Sequence, residues 1–358
     1  MFGIGKKKNT VKKISMEEAE MYIKEAVEQG NVGLVQAMIE KVYPVNIDTY
    51  NGNPSLLHLA VKTGNLKMVD LLIRAGADVN NGTKWRRDYK CAGCGQTPLM
   101  WAAKYDYQKI VLRLLMSGAL VNVSDYYNHD TALHYAAKYA SAQTVHTLLL
   151  WHANPNLANL DKETPLHYAA DRKPCKDSYE MAYVLTTLFD AQVDGYTING
   201  YSDKLPLYYA VKNENTELVK LLLKKRAYVN HISNDGATVL LYAARNKNIE
   251  MVKLLVENGA STLEKDRFGK TALYYVTRTQ DVEAVKMLQK REKKDKEIIA
   301  WRESQNKKDY PQERTVPDTP VSVSHHNSDS GTWCSNDRSL GESSIFSEIS
   351  STNLYYNI

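Results

Sequence analysis

Few residues of this 358-residue chain stand at spacings that suit chemistry. Cys91-x-x-Cys94 is the one metal-like pair. Structural zinc takes four ligands and no second pair follows, so a site would need Cys175 from a distant segment or another recruited ligand. A redox dithiol belongs between a strand and a helix, a setting this stretch does not offer. We read the pair as incidental, with zinc and then redox chemistry as the alternatives. Gly269-Lys270-Thr271 has the ending of a phosphate loop, but Glu264 stands where that loop needs its first glycine and no strand precedes it. No Ser-His-Asp, Cys-His or paired-carboxylate constellation stands out on any segment outside the repeats described next. The chain is therefore read as non-enzymatic, with no cofactor and no metal.

What recurs is a heptapeptide. Thr164-Pro165-Leu166-His167-Tyr168-Ala169-Ala170 has degraded copies along most of the chain, starting at 55, 97, 131, 164, 205, 238 and 271. The gaps are 42, 34, 33, 41, 33 and 33. Thr97 and Thr164 suit a helix N-cap, and Pro98 and Pro165 suit the first helical position, where a missing N–H costs nothing. Leu and two Ala then share one helical face. A second helix follows with a Val-x-x-Leu-Leu pattern, as at Val111, Leu114 and Leu115. It closes on Gly76, Gly118 or Gly259, a left-handed C-cap. His152, Asp190 and Arg226 replace that Gly, and Arg226 is the position where strain is expected.

A 33-residue period carrying this motif resembles the ankyrin repeat. The resemblance implies an all-α solenoid of helix–turn–helix repeats with β-hairpin fingers, and a protein-binding surface whose partner is written in variable positions. It also implies that His58, His134 and His167 hydrogen-bond within their turns. The aromatic stripe Trp101, Tyr135, Tyr168, Tyr209, Tyr242 and Tyr275 is read as stacking between repeats.

The positioning elements follow in order. Residues 1–14 are lysine-rich and read as a basic disordered terminus. Residues 15–302 form the solenoid, with a polar capping repeat at 15–48, opened by the Ser15-x-x-Glu18 capping box, and an extended C-terminal helix at 280–302. Two repeats are long. One insertion, around 81–94, sits at a fingertip; the other, around 172–179, falls between the helices of the fourth repeat. Both are read as loops, which repeat proteins use for contact. Residues 303–358 lose periodicity and read as a disordered Ser-rich tail. That tail carries short-motif candidates: Asp329-Ser330-Gly331 resembles a phosphodegron, Thr319-Pro320 a proline-directed phosphosite, and Tyr356-Asn357-Ile358 a PDZ ligand. Its composition also resembles a bacterial type IV secretion signal.

Lys plus Arg is 46 against 41 for Asp plus Glu, a net charge of +5, too mild to argue for nucleic acid or a membrane surface. No apolar run reaches membrane-spanning length, so no integral membrane association is expected. Four unevenly spaced cysteines suit a reducing compartment, so the expected location is cytoplasmic, with the nucleus, or a host cytoplasm for a secreted effector, as other options.

Contact residues are expected in three places. Trp85, Arg86, Arg87 and Tyr89 of the first insertion have the chemistry of interface anchors. Lys104, Lys138, Lys212 and Arg245, with Lys62 and Arg278, end successive first helices and face the concave groove, broken only by Asp171; Tyr105 and Tyr139 adjoin them. Tyr127, Arg267 and Phe268 occupy fingertips. The function read from this is a protein–protein scaffold or adaptor. The alternatives are a secreted bacterial ankyrin effector and a substrate adaptor of a ubiquitin ligase.

Overall fold

The computed structural model describes residues 16–41, 44–46, 54–83, 95–195 and 204–309. The basic start, the first insertion with Trp85, Arg86, Arg87, Tyr89, Cys91 and Cys94, and the tail motifs lie outside these residues. Among the described residues there are sixteen α-helices and one π-helical turn, and no strand. The described residues up to Asn306 belong to one compact unit.

The helices come in pairs. The inner series is α1 (Met16–Glu28), α3 (Leu56–Lys62), α5 (Pro98–Lys104), α7 (Ala132–Tyr139), α9 (Pro165–Ala170), α11 (Pro206–Lys212), α13 (Val239–Arg245) and α15 (Ala272–Val276). The outer series is α2 (Val32–Glu40), α4 (Leu66–Arg74), α6 (Gln108–Met116), α8 (Ala142–Leu150), α10 (Lys176–Tyr183), α12 (Thr216–Lys224), α14 (Ile249–Glu257) and α16 (Val282–Asp309). Inner helices pack on inner helices from α1 to α15, and outer on outer from α2 to α12. The heptapeptide explains the inner layer. Leu99, Leu133, Leu166, Leu207 and Leu240 are at most 1% exposed. Ala103, Ala137, Ala170 and Ala244 are fully buried, and their small side chains let the next helix approach. The Val and first Leu of each outer pattern complete one continuous core. Burying each such Leu supplies about 1.5–3 kcal/mol.

Short polar side chains then stitch repeat to repeat. Asn80 Nδ2 donates to the Gly118 carbonyl (3.2 Å) while Asn80 Oδ1 accepts from Leu120 N–H (2.8 Å). Asn230 does the same to Gly259 (3.2 Å) and Ser261 (2.7 Å). Neither helix of a pair could satisfy these carbonyl and amide groups alone.

Three local features depart from the pattern or refine it. First, the fingers are turns rather than strand ladders. Asp125 N–H donates to the Asp130 carbonyl (2.9 Å) and Asp266 N–H to that of Lys270 (3.0 Å). An isolated bridge joins Ser124 and Thr131. The finger aspartates take the amides that a ladder would use: Asp125 Oδ1 accepts from Tyr127 N–H (3.1 Å) and Asn128 N–H (2.9 Å). Second, the insertion at 172–179 is not simply a loop. From Lys176 onward it is helix, and α10 runs directly into the π-helical turn Val184–Leu188. The extra residues thus lengthen the outer helix, with the π turn absorbing the mismatch. Cys175 caps it, Sγ accepting from Ser178 N–H at 3.4 Å. Third, the glycine-replacing residues do take left-handed backbone: φ is 63° at His152, 50° at Asp190 and 66° at Arg226.

The two ends differ from the middle. On α1, Met21 and Tyr22 are exposed among the glutamates, so its outer face is not uniformly polar. On α16, Ala284 and Leu288 are buried, whereas Ile298, Ile299 and Trp301 are exposed. Between them Asp295 accepts from Thr262 Oγ1 (3.0 Å) and Arg291 Nε (2.9 Å), latching α16 to the preceding repeat. No helix among the described residues is long and apolar enough to cross a membrane.

Candidate functional site

A unit of Thr (or Ser), His and an aromatic ring is copied between repeats. Thr131 N–H donates to His134 Nδ1 (3.1 Å), and Ser55 N–H to His58 Nδ1 (3.3 Å). An Nδ1 that accepts from backbone carries no proton, so Nε2 carries it. His58 Nε2 meets the Gln96 carbonyl at 2.9 Å, and His134 Nε2 meets that of Glu163 at 3.1 Å. His167 repeats the first half with Thr164 N–H (2.9 Å). Its ring fits because residue 195 is glycine at φ +59°: a Cβ there would stand 2.1 Å from His167 Cε1. The Thr131 and Thr164 hydroxyls meet the His ring nitrogen Nδ1 at 2.9 and 3.0 Å. Burial pushes the three imidazoles down, His58 to about 4 and His167 to about 3. Against each ring stands the aromatic residue of the next repeat, edge-on: Trp101 on His58 (5.2 Å), Tyr168 on His134 (5.7 Å) and Tyr209 on His167 (6.3 Å).

The far end of each tyrosine reaches a fingertip carboxylate. Tyr135 OH donates to Asp125 (2.5 Å), Tyr168 OH to Asp130 (3.1 Å) and Tyr209 OH to Glu163 (2.5 Å); Tyr275 OH donates to Asp266. Burial, then the carboxylate, holds the Tyr135 and Tyr209 hydroxyls above the ordinary tyrosine value, so they remain donors. Burial also pushes Glu163 up, against the Tyr209 hydrogen bond and together with the charges of Asp161, Asp130 and Asp171.

Over this acidic row lie the lysines that end the inner helices. Lys138 Nζ stands 5.0 Å from the Tyr168 ring centre and 5.5 Å from that of Tyr139, and Lys104 Nζ is 5.8 Å from Tyr139. Each such contact is worth about 0.5–1 kcal/mol at an exposed site. Two adjoining clefts result. One of about 280 Å³ gathers Lys104, Tyr127, Lys138 and Tyr139 over Asp130 and Tyr135. The other, about 690 Å³, lies between Lys138, Tyr139 and Tyr168 on one side and Glu163, Asp171, Arg172 and Tyr209.

Four of the expected contact residues, Lys104, Tyr127, Lys138 and Tyr139, therefore come together. Lys212 lies beside them, 3.1 Å from Asp171 and 5.6 Å from the Tyr209 ring centre. Tyr105 is turned away, against the rings of Trp101 (6.3 Å) and Tyr107 (5.9 Å). Arg245 is exposed and sits further along, in the field of Asp235 and Asp266. Arg267 stacks on exposed Phe268 at 4.8 Å and joins neither cleft. Sequence reasoning missed Asp130, Glu163 and the hydroxyl ends of Tyr168 and Tyr209. A signal was present: the residue just before each heptapeptide is Pro54, Gln96, Asp130, Glu163, Lys204, Ala237 and Lys270, a register that turns acidic only at the third and fourth repeats. Among the described residues, no group of three or more His, Cys, Asp or Glu side chains is placed to hold a metal ion.

A family model described as ankyrin repeats (3 copies) matches residues 7–83, 23–125, 81–159 and 207–299. The chain belongs to the ankyrin-repeat family. The stretch between matches, 160–206, holds Asp171, the lengthened outer helix and much of the larger cleft. Among ankyrin-bearing relatives, the chain is 30% identical over 194 residues to the probable E3 ubiquitin-protein ligase XBOS32 of Oryza sativa subsp. japonica, covering 53% of this chain and 35% of that protein. It is 36% identical over 115 residues to the putative ankyrin repeat protein FPV031 of fowlpox virus, covering 32% of each. It is 28% identical over 179 residues to inversin of Canis lupus familiaris, covering 49% of this chain and 15% of inversin. The matched stretches thus span about a third or less of these relatives. Ankyrin repeats imply a role in protein–protein interaction, and the family is generally non-catalytic.

Proposed function

We propose that the chain is a non-catalytic scaffold or adaptor that holds a partner protein along the inner-helix groove and the adjoining fingertips. One observation carries this reading. Lys104, Lys138, Tyr139 and Tyr127 converge on adjoining solvent-open clefts, while His58 and His134 are committed to the scaffold. Exposed aromatic rings laid against cations are the chemistry of interface anchors. The partner's binding is a protein-surface event, with no nucleic acid required by the mild net charge.

The test replaces Lys104→Glu and Lys138→Glu together in the full chain. Partners captured from lysate are compared by quantitative mass spectrometry with those of the wild type and of residues 1–309, which end with α16. The expected result is capture by both unmodified forms and a tenfold or greater loss for the double variant with unchanged circular dichroism. Undiminished capture by the folded double variant refutes the groove. Capture by the full chain alone moves recognition to the tail.

The similarity to a plant protein named as a ubiquitin ligase favours a second reading, in which the solenoid selects the target of a ligase. Co-purification of ligase subunits with the full chain supports it, and their absence from an otherwise specific capture counts against it.

A further inference from the structure

The larger cleft differs from the rest of the groove, and its chemistry specifies what should enter it. At the register where the other inner helices from α3 to α15 carry lysine or arginine, α9 gives way to Asp171. Asp161 and Glu163 approach from the adjoining fingertip, and the rings of Tyr139, Tyr168 and Tyr209 line the same space of about 690 Å³. Among the described residues, neither Asp161 nor Glu163 has a lysine or arginine within ion-pair distance. Glu163 is half-buried and receives a single side-chain hydrogen bond, from the neutral Tyr209 hydroxyl at 2.5 Å. The charges acting on it are acidic: Asp161, Asp130 and Asp171. Asp171 does have a partner, Lys212 at 3.1 Å, but the two side chains are 48% and 41% exposed. An ion pair this exposed contributes little and yields readily to a competing cation.

A half-buried carboxylate without a counter-ion, walled by tyrosine faces and open to solvent, suits a guanidinium. The planar fork can donate two charge-assisted hydrogen bonds to one carboxylate while its face lies on a ring. Phosphate-bearing ligands are disfavoured by the same carboxylates. Lys138, Arg172 and Lys173 also line the cleft, so acidic residues beside the entering cation meet positive charge. We propose that this cleft is a pocket for an arginine side chain, presented by a partner segment in which that arginine is flanked by acidic residues. The proposal rests on the groove-binding function above and names the partner chemistry at its centre.

The experiment uses fluorescence anisotropy with the full chain and a labelled peptide, Glu-Asp-Gly-Arg-Gly-Asp-Glu, against the same peptide with Ala for Arg. Asp161→Asn with Glu163→Gln removes the charge while leaving Tyr209 an acceptor. The expected result is a tenfold or greater preference for the Arg peptide. The double variant should reduce that preference to within twofold and leave Ala-peptide affinity unchanged. Equal affinity of the two peptides for the wild type, or a preference that survives in the double variant, overturns the pocket. So does spermine competing as well as the unlabelled Arg peptide, which would mean a site for small polycations. A preference that appears only when residues 310–358 are removed assigns the pocket to the chain's own tail and overturns the partner. Lys104→Glu with Lys138→Glu separates the two levels. If it weakens both peptides equally, the groove stands whatever becomes of the pocket. If the arginine preference and affinity both persist, the pocket stands without the lysine groove.

Discussion

Mild acidification should destabilise this solenoid through three buried imidazoles. In the fold, His58 is held down to about 4 and His167 to about 3 by burial, and His134 is lowered by the same cause. Protonating Nδ1 would also set a new donor against the backbone N–H it now accepts from. In the unfolded chain each ring returns to about 6.5. The folded value lies below the unfolded one, so the unfolded state binds more protons between them. The stabilisation is complete above about pH 6.5 and is lost as pH falls toward the folded values. For the His58 and His167 shifts the loss at pH 5 is about 2 kcal/mol each, so these two rings together approach about 4 kcal/mol, a large part of a domain's stability, and His134 acts in the same direction. Carboxylates do not mimic this. Asp235 and Asp266 are lowered, chiefly by hydrogen bonds, and withdraw stability only below the ordinary carboxylate range. Burial raises Glu163 and Asp194, which therefore oppose the loss near the bottom of the window. The assay is thermal unfolding by calorimetry from pH 7.5 to 5, with proton uptake measured in buffers of different ionisation enthalpy, and NMR titration of the histidine ring protons. The expected outcome is a falling melting temperature, proton uptake on unfolding near pH 5 that includes His58 and His167, and imidazoles of these two residues that do not titrate in the folded state above pH 5. A melting temperature flat across this range, or these rings titrating near 6.5, would refute the reasoning.

Two further perturbations test the frame around the groove. Arg226→Gly should stabilise by about 0.5–1 kcal/mol in urea unfolding, because relief of left-handed strain exceeds the added chain entropy of glycine, and the Arg226 side chain is exposed; destabilisation would mean that Arg226 makes a contact worth more than its strain. Asp295→Ala should unlatch α16, orphaning Thr262, which is only 1% exposed, at a cost of about 1–3 kcal/mol. Hydrogen exchange should then rise in α16 beyond Leu288 and not in α5 to α9, and uniform protection would show that the latch is dispensable.

The repeat architecture was legible because one local rule writes it seven times. A leading Ser or Thr (Leu205 in one copy), an apolar face and a C-terminal left-handed residue act within one helix pair, and their period survives even where His152, Asp190 or Arg226 replaces glycine. The stacking of the aromatic stripe was legible for the same reason: Trp101, Tyr168 and Tyr209 each meet the histidine one repeat away, and Tyr242 meets Tyr208. The second insertion was not, because a run reading as Arg172 to Tyr179 contains no signal that it extends α10 into a π turn; packing of that helix between α8 and α12 makes the choice.

The candidate site divides along the same line. Sequence alone determined that lysines recur at the ends of inner helices, because a side chain's face on a helix follows from its register. Only the tertiary structure decided what lies beneath them. Glu163 and Tyr209 are 46 positions apart, and their hydrogen bond exists because stacking brings a fingertip of one repeat onto the inner helix of the next. Charge at a groove is a sum over neighbours from different repeats, and that sum, with its burial and its missing counter-ions, has no local spelling in the chain.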